Sequence, residues 1–120
     1  MKRTILIIDD ETVILDSVSR ILNRAGFETQ TASTLHEANR KLRDGKFSLI
    51  ISDAMIPHSG GLELINKLKK DPQYAGVPVI LITAMDSGRL YSQEISADAV
   101  LLKPFDSNQL LETVQSQLGV

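Results

Sequence analysis

Short apolar runs bounded by polar or turn residues recur along the chain. Four of them, residues 5–8, 49–51, 77–82 and 99–102, are apolar at nearly every position. Such runs predict strands that are buried on both faces, as in a parallel sheet. A fifth segment, residues 27–31, alternates less polar with polar residues. That alternation predicts a strand at the edge of the sheet.

The segments between these runs space their apolar residues three to four apart, which predicts helices. The first helix follows from one such stripe: Ile14, Leu15, Val18, Ile21, Leu22 and Ala25. Gly26 closes it as a C-terminal cap. Thr34 and Glu37 form a capping box for a second helix, which ends at Gly45.

Three further helices complete the pattern. The third stops at Asp71-Pro72 and is marked by a short stripe, Leu64, Ile65 and Leu68. A fourth is predicted around residues 87–95, where the periodicity is poor. Asp106 can cap a fifth helix, which has four apolar core positions: Leu110, Leu111, Val114 and Leu118.

Strict alternation of strand and helix predicts parallel strands joined by right-handed crossovers, with helices on both faces of the sheet. No linker, repeat or low-complexity segment interrupts residues 1–120, so we expect a single α/β domain. The strand order 2-1-3-4-5 is typical of this class. Ligands of such sheets bind at the carboxyl ends of the strands, where the strand order reverses.

Composition narrows the function further. The chain has 13 basic and 15 acidic residues, which gives no electrostatic footprint for nucleic acid or an anionic membrane. It has no cysteine, which excludes disulfides, thiolate metal sites and a cysteine nucleophile. Only four apolar residues precede Asp9, too few for a signal-peptide core or a membrane span. We therefore expect a soluble, cytoplasmic protein.

Polar side chains with related chemistry follow four of the predicted strands: Asp9, Asp10 and Glu11 after the first, Asp53 after the third, Thr83 at the end of the fourth and Lys103 after the fifth. If the first and third strands are neighbours, the carboxylates converge, and two such charges ~4 Å apart repel by about 4 kcal/mol at an effective dielectric of about 20. An all-oxygen cluster suits Mg²⁺. A lysine and a hydroxyl beside it would help to neutralise phosphoryl oxygens.

Each residue taken alone has a structural explanation. Asp9 and its neighbours can favour the positive end of the first helix, and Asp53 can cap a turn. Thr83 can satisfy a backbone group, and Lys103 can be an exposed loop lysine. Their joint placement at the ends of four core strands favours a single phosphoryl site, with Asp53 as the acceptor.

These motifs resemble those of the receiver domains of two-component response regulators, over essentially the whole chain. Segment 5–11, Ile-Leu-Ile-Ile-Asp-Asp-Glu, resembles the acidic pocket of that family. Segment 49–57, which contains Asp53, resembles its phosphoacceptor strand and loop, with Gly61 at the usual spacing. Segments 82–84 and 102–105, with Thr83 and Lys103, complete the set.

The resemblance implies a flavodoxin-like fold and a signalling switch rather than an enzyme acting on other molecules. Asp53 would accept a phosphoryl group from a sensor histidine kinase or histidine phosphotransfer protein. Asp10, Asp53 and the Met55 carbonyl would bind Mg²⁺, or Mn²⁺ in its place, and Asp9 would act through water. The Lys103-Pro104 peptide would be cis. The output would pass to a downstream protein or an attached domain, without direct binding of nucleic acid or membrane.

Two enzyme-like or cofactor-binding functions compete with this interpretation. An aspartyl-phosphate phosphatase of the haloacid dehalogenase type needs a second aspartate two residues after the nucleophile, where this chain has Met55. A flavodoxin needs a phosphate loop after the first strand, where acids here would repel phosphate. A receiver that cannot be phosphorylated conflicts with the intact acid, threonine and lysine set. A stand-alone receiver and a module of a hybrid kinase or longer regulator remain open alternatives.

The chain departs from the family pattern at Val100, where receivers commonly carry Tyr or Phe. Valine has little reach, so signalling through the face of the fourth helix, fifth strand and fifth helix is in question, as is a phosphorylation-dependent dimer through that face. Tyr91 can stand in for the aromatic residue or be an ordinary surface tyrosine. Pro104 keeps the family pattern.

Met55 and Met85 generate a testable prediction about phosphoryl lifetime. They occupy positions where polar residues of many relatives help to place the hydrolytic water. Since methionine is apolar and flexible, these two can shield the acyl phosphate or simply pack at the rim. If they shield it, self-dephosphorylation is slow, and replacing both by polar residues such as Asn shortens the lifetime measured by loss of label. A lifetime that lengthens in that double variant contradicts shielding.

Overall fold

A computed structural model of the protein describes residues 3–53, 61–84 and 97–120. Its five strands are β1 (Thr4–Ile8), β2 (Glu28–Ala32), β3 (Leu49–Asp53), β4 (Val79–Thr83) and β5 (Ala99–Leu102). Its described helices are α1 (Thr12–Arg24), α2 (Leu35–Asp44), α3 (Gly61–Lys70) and α4 (Ser107–Leu118), the last being the fifth helix predicted from the sequence. The helix predicted over residues 87–95 lies outside the described residues.

The five strands form one parallel sheet in the order β2-β1-β3-β4-β5, which confirms the predicted α/β fold. Every residue of β3 and β4 is buried, because helices cover both faces of the central strands. One core cluster joins Leu6 and Leu81 to α2 and α3, and the other joins Ile7 and Ile80 to α1 and α4. Neighbouring side chains of a strand thus enter opposite cores, which explains the continuous apolar runs.

The strand limits differ from the predicted ones at both the amino and the carboxyl ends of the central strands. β4 begins at Val79 rather than at residue 77, because Pro78 has no N–H to donate to a neighbouring strand. At the other edge, β3 and β4 extend beyond their apolar runs to Asp53 and Thr83, which are buried. Two polar residues that the sequence placed at or after strand ends are therefore paired members of the sheet.

The helix ends follow the predicted signals, with one correction. Thr34 caps α2 by accepting a hydrogen bond from the Glu37 backbone N–H at 3.1 Å. The Glu37 carboxylate, however, accepts from the Ser33 backbone N–H at 3.0 Å, so the reciprocal bond of a capping box reaches one residue further back. A complete box is present at α4, where Asp106 and Gln109 exchange both bonds.

The amino-terminal edge of the sheet is joined to α3 through Asp98, just before β5. Its carboxylate accepts the Val79 backbone N–H at 2.8 Å and also pairs with Lys69 of α3. Lys69 donates to the Val77 carbonyl as well, at 2.9 Å. Across the described ranges, no helix is both long enough and apolar enough to cross a membrane.

Gly45, which ends α2, generates a prediction about stability. A Cβ at this position would lie 2.9 Å from the Lys41 carbonyl oxygen and 2.8 Å from the Phe47 ring, whereas a Cβ at Gly76 would meet nothing within 4 Å. Because the carbonyl is backbone and the ring is buried, Gly45→Ala should lower the free energy of unfolding by roughly 1–3 kcal/mol. Urea denaturation followed by circular dichroism measures this.

Gly76→Ala is the matched control and should change the free energy of unfolding by less than about 1 kcal/mol. Equal stability of the two alanine variants would contradict the close packing described at the end of α2.

Candidate functional site

The carboxyl ends of the central strands bring the predicted site residues together. Asp9 directly follows β1, Asp53 ends β3, Thr83 ends β4 and Lys103 follows β5. β1 lies between β2 and β3, so the chain crosses over on both sides of it and the strand order reverses there. This is the position at which parallel α/β sheets bind ligands.

Lys103 is the cation at the centre of the site. Its Nζ atom lies 3.1 Å from Asp53 Oδ2, 3.1 Å from Glu11 Oε1 and 3.2 Å from Asp9 Oδ2. Its backbone N–H donates to the Thr83 carbonyl at 2.8 Å, and the peptide bond to Pro104 is cis, as predicted. The lysine is thus fixed to β4 through its backbone and to three acids through its side chain.

Lys103 contacts three members of a cluster of four carboxylates, those of Asp9, Asp10, Glu11 and Asp53, each with an oxygen within 4.8 Å of the others. Asp9 and Asp53 are buried, whereas Asp10 and Glu11 are exposed. Two charges at that separation repel by about 3–4 kcal/mol at an effective dielectric of about 20, and one ammonium group cannot balance four carboxylates. The cluster therefore retains excess negative charge.

The pKa values of Asp9 and Lys103 reflect this crowding. Burial raises the pKa of Asp9 to about 6, the Glu11 backbone N–H opposes the rise, and the charge of Asp53 adds to it. Burial acts to lower the pKa of Lys103, but hydrogen bonds to Glu11, Asp53 and Asp9 outweigh it and raise that pKa above its ordinary range. Lys103 is consequently held in its charged form.

The donor set fits a hard divalent cation. All four groups are carboxylates on short or exposed side chains, and Mg²⁺ prefers oxygen ligands and keeps several waters. Mn²⁺ accepts the same ligands. Among the described residues, the carboxylates that could hold such an ion are those of Asp9, Asp10, Glu11 and Asp53. Met55, whose carbonyl is the third predicted ligand, lies outside the described residues.

Of the other residues singled out in the sequence, the structure describes Thr83 and Val100. Thr83 is fully buried at the end of β4. Val100 lies on β5 beside Leu81 of β4 and is 41% exposed. Met85 and Tyr91 lie outside the described residues.

The ion pair between Glu11 and Lys103 was not predicted from the sequence. Glu11 was recognised as one of the acids after the first strand, but the pair joins residues 92 positions apart. No local spacing signals such a pair. An acid one residue beyond the Asp9-Asp10 pair, together with a lysine after the last strand, is the only sequence feature that points to it.

Comparisons with known proteins identify the family of this chain. Residues 5–115 match the family model described as the response regulator receiver domain. The chain is 33% identical over 118 residues to the phosphate regulon transcriptional regulatory protein PhoB of Pseudomonas aeruginosa, covering 97% of this chain and 52% of that protein. It spans about half the length of the curated relatives it matches.

Solved structures show the same fold. The chemotaxis response regulator CheY4 of Vibrio cholerae superposes with a TM-score of 0.91 at 32% identity, covering 98% of this chain and all of that one. The response regulator TrrA of Thermotoga maritima, solved in complex with Mg²⁺-BeF, gives a TM-score of 0.87 at 32% identity, with 98% of this chain and 100% of that one covered.

The raised pKa of Asp9 predicts how stability depends on pH when no divalent ion is present. Because the folded state holds this proton more tightly than the unfolded state, Asp9 favours folding below about pH 4, and that contribution is lost as the pH rises through about 6. Asp9→Asn keeps an acceptor for the Glu11 N–H and removes the charge. It should raise the free energy of unfolding at pH 7 by roughly 1–3 kcal/mol.

Urea denaturation in EDTA between about pH 4 and 8 spans the titration of Asp9 and tests this. Asp10→Asn is the matched control, since Asp10 is exposed and should give a smaller gain. An Asp9→Asn protein that is no more stable than the parent at pH 7 would show that the charge of Asp9 is not costly.

Proposed function

Because this chain belongs to the response regulator receiver domain family, we propose that it is a phosphorylation-activated switch in which Asp53 accepts the phosphoryl group. The donor is a phosphohistidine on a sensor histidine kinase or a histidine phosphotransfer protein. Phosphorylation changes the state of this domain, which then acts on a downstream protein or on an attached output domain.

One observation carries the proposal: Lys103 Nζ contacts Asp53, Asp9 and Glu11 together, at the carboxyl edge of the sheet. Such a lysine is too far buried and too fully paired for an ordinary loop side chain, being 15% exposed. The placement of a cation against the acceptor carboxylate supports a role in binding an oxygen of the incoming phosphoryl group.

The chemistry assigned to this chain is an in-line displacement. An oxygen of the Asp53 carboxylate attacks phosphorus, the bond from phosphorus to the donor imidazole nitrogen breaks, and that nitrogen keeps the electron pair. The product is an acyl phosphate, which water later hydrolyses to Asp53 and inorganic phosphate. Lys103 holds one phosphoryl oxygen through its ammonium group, and Thr83 supplies a hydroxyl donor for another.

Asp10 and Asp53, with the Met55 carbonyl, would hold Mg²⁺, and Asp9 would contact it through water. When bound, Mg²⁺ would neutralise charge on the carboxylates and on the transferred group. The acidic cluster around Asp53 supports this assignment, as does the Mg²⁺-BeF complex reported for the TrrA structure. Asp9 would then orient a water of the ion, and burial holds this side chain in place.

The output of the switch would be an attached domain or a partner protein. The relatives from Pseudomonas aeruginosa are named transcriptional regulatory proteins, and this chain corresponds to about half of each, so an attached output domain is a natural partner. Val100 and Leu102 of β5 are 41% and 46% exposed, so a phosphorylation-dependent dimer or partner contact at this strand would be an apolar contact without an aromatic residue at position 100. We place the protein in the cytoplasm, where histidine kinases present their phosphohistidine.

Asp53→Asn tests the acceptor. Asparagine keeps the size of the side chain but cannot form an acyl phosphate, so Mg²⁺-dependent labelling by acetyl phosphate should fall to background. Intact-protein mass spectrometry or a phosphate-affinity gel measures the label.

Asp44→Asn, which alters an exposed acid at the end of α2, is the matched control and should label like the parent chain. Undiminished Mg²⁺-dependent labelling of the Asp53→Asn chain overturns the assignment of the acceptor.

A further inference from the structure

Basic residues are concentrated on one side of this otherwise acidic chain. Residues 36–46 and 61–73 hold seven of the 13 lysines and arginines but only four of the 15 aspartates and glutamates. These two stretches include α2 and α3, which pack on the same core cluster. The chain thus carries a positive surface that its net charge of −2 conceals.

A groove of 370 Å³ runs between α2 and α3 within this surface. His36 and Arg43 of α2 line one wall, and Lys67 of α3 lines the other. All three side chains are exposed. Leu64 and Leu68, on the buried side of α3, form part of its floor.

The floor of the groove is held in a fixed shape. Tyr74 is 2% exposed, and its hydroxyl donates to the Gly45 carbonyl at 3.1 Å and also contacts the Leu42 carbonyl. Gln73 reaches the same Gly45 carbonyl at 3.4 Å. These bonds join the end of α2 to the segment after α3, so the groove is formed before any ligand binds.

Few cations of this surface are paired with acids among the side chains that the structure describes. In the described part of the chain, ion pairs with acids are absent from five exposed basic residues of the surface: Arg40, Arg43, Lys46, Lys67 and Lys70. By contrast, Lys69 is paired with Asp98.

The mixture of charges in the groove selects the kind of ligand. Asp71 lines it beside the cations, with one carboxylate oxygen accepting the Gln73 N–H at 2.9 Å, and Asp44 is exposed at the end of α2. A nucleic-acid backbone places one phosphate charge after another, so acids among the cations disfavour it. Separate carboxylates on a peptide can contact the cations individually, while an apolar side chain reaches the leucines of the floor.

We propose that the groove between α2 and α3 is a docking site for an acidic segment of a partner protein that presents one apolar side chain between its acids. The groove is distinct from the phosphoryl site, which lies at the carboxyl edge of the sheet. Docking there leaves the acceptor carboxylate free to react, so the failure of either proposal can be recognised separately.

Peptide titration followed by nuclear magnetic resonance tests the docking site. The probes are a short peptide of glutamates around a central leucine, the same peptide with the leucine replaced by glutamate, and a lysine version of the first. The leucine-containing acidic peptide should bind most tightly and should shift amide signals of α2, α3 and residues 71–74. Equal binding of the all-glutamate peptide or of the lysine peptide overturns the proposal, as do shifts confined to other elements.

Charge reversal supplies the matched pair of variants. Arg43→Glu with Lys67→Glu should weaken binding of the acidic leucine peptide by about tenfold or more, since both cations lie against the ligand. Arg20→Glu with Arg24→Glu changes the net charge equally on α1, away from the groove, and should weaken binding by less than about threefold.

Both variants should still be labelled by acetyl phosphate, which reports that the fold and the phosphoryl site are intact. Equal weakening by the two variants identifies general attraction between charges and overturns the groove, as does tighter binding of a short DNA duplex than of the peptide.

Discussion

Repulsion among carboxylates at the carboxyl edge of the sheet is the constraint on which the functional part of this molecule depends. Folding of the sheet places Asp9 and Asp53 in the interior, with Asp10 and Glu11 beside them. Such a cluster is tolerated only when cations share it. Lys103 meets part of that need from within the chain, and the excess negative charge that is left favours a further cation.

Much of the fold could be read from the chain because parallel sheets bury their strands on both faces. The apolar runs at residues 5–8 and 49–51 located β1 and β3, and the rule that ligands bind at carboxyl ends then located Asp53 and Lys103. Details that depend on a single missing or displaced hydrogen bond could not be predicted from the sequence. Pro78 delayed the start of β4, and the Glu37 carboxylate bonded to Ser33 instead of to the cap residue.

The features that could not be predicted from the sequence depend on contacts between residues far apart in the chain. The pair between Glu11 and Lys103 depends on how β1 and β5 are placed in the finished sheet, and no local pattern records that distance. The groove between α2 and α3 is similar, because periodicity predicted both helices but gave no information on how their exposed faces align.

The number of hydrogen-bond donors on Lys103 limits how the site can change state. An ammonium group has three N–H donors, and in this structure three carboxylates already take them up. A further acceptor, such as a phosphoryl oxygen, therefore cannot be added to this lysine and must replace one of the existing partners. Glu11 is the partner with the most exposed side chain, at 60%. If its carboxylate lost the hydrogen bond from Lys103, water could most readily replace that bond. Binding of a new acceptor at Lys103 would therefore release an existing one, so that binding and rearrangement of the site would be one event.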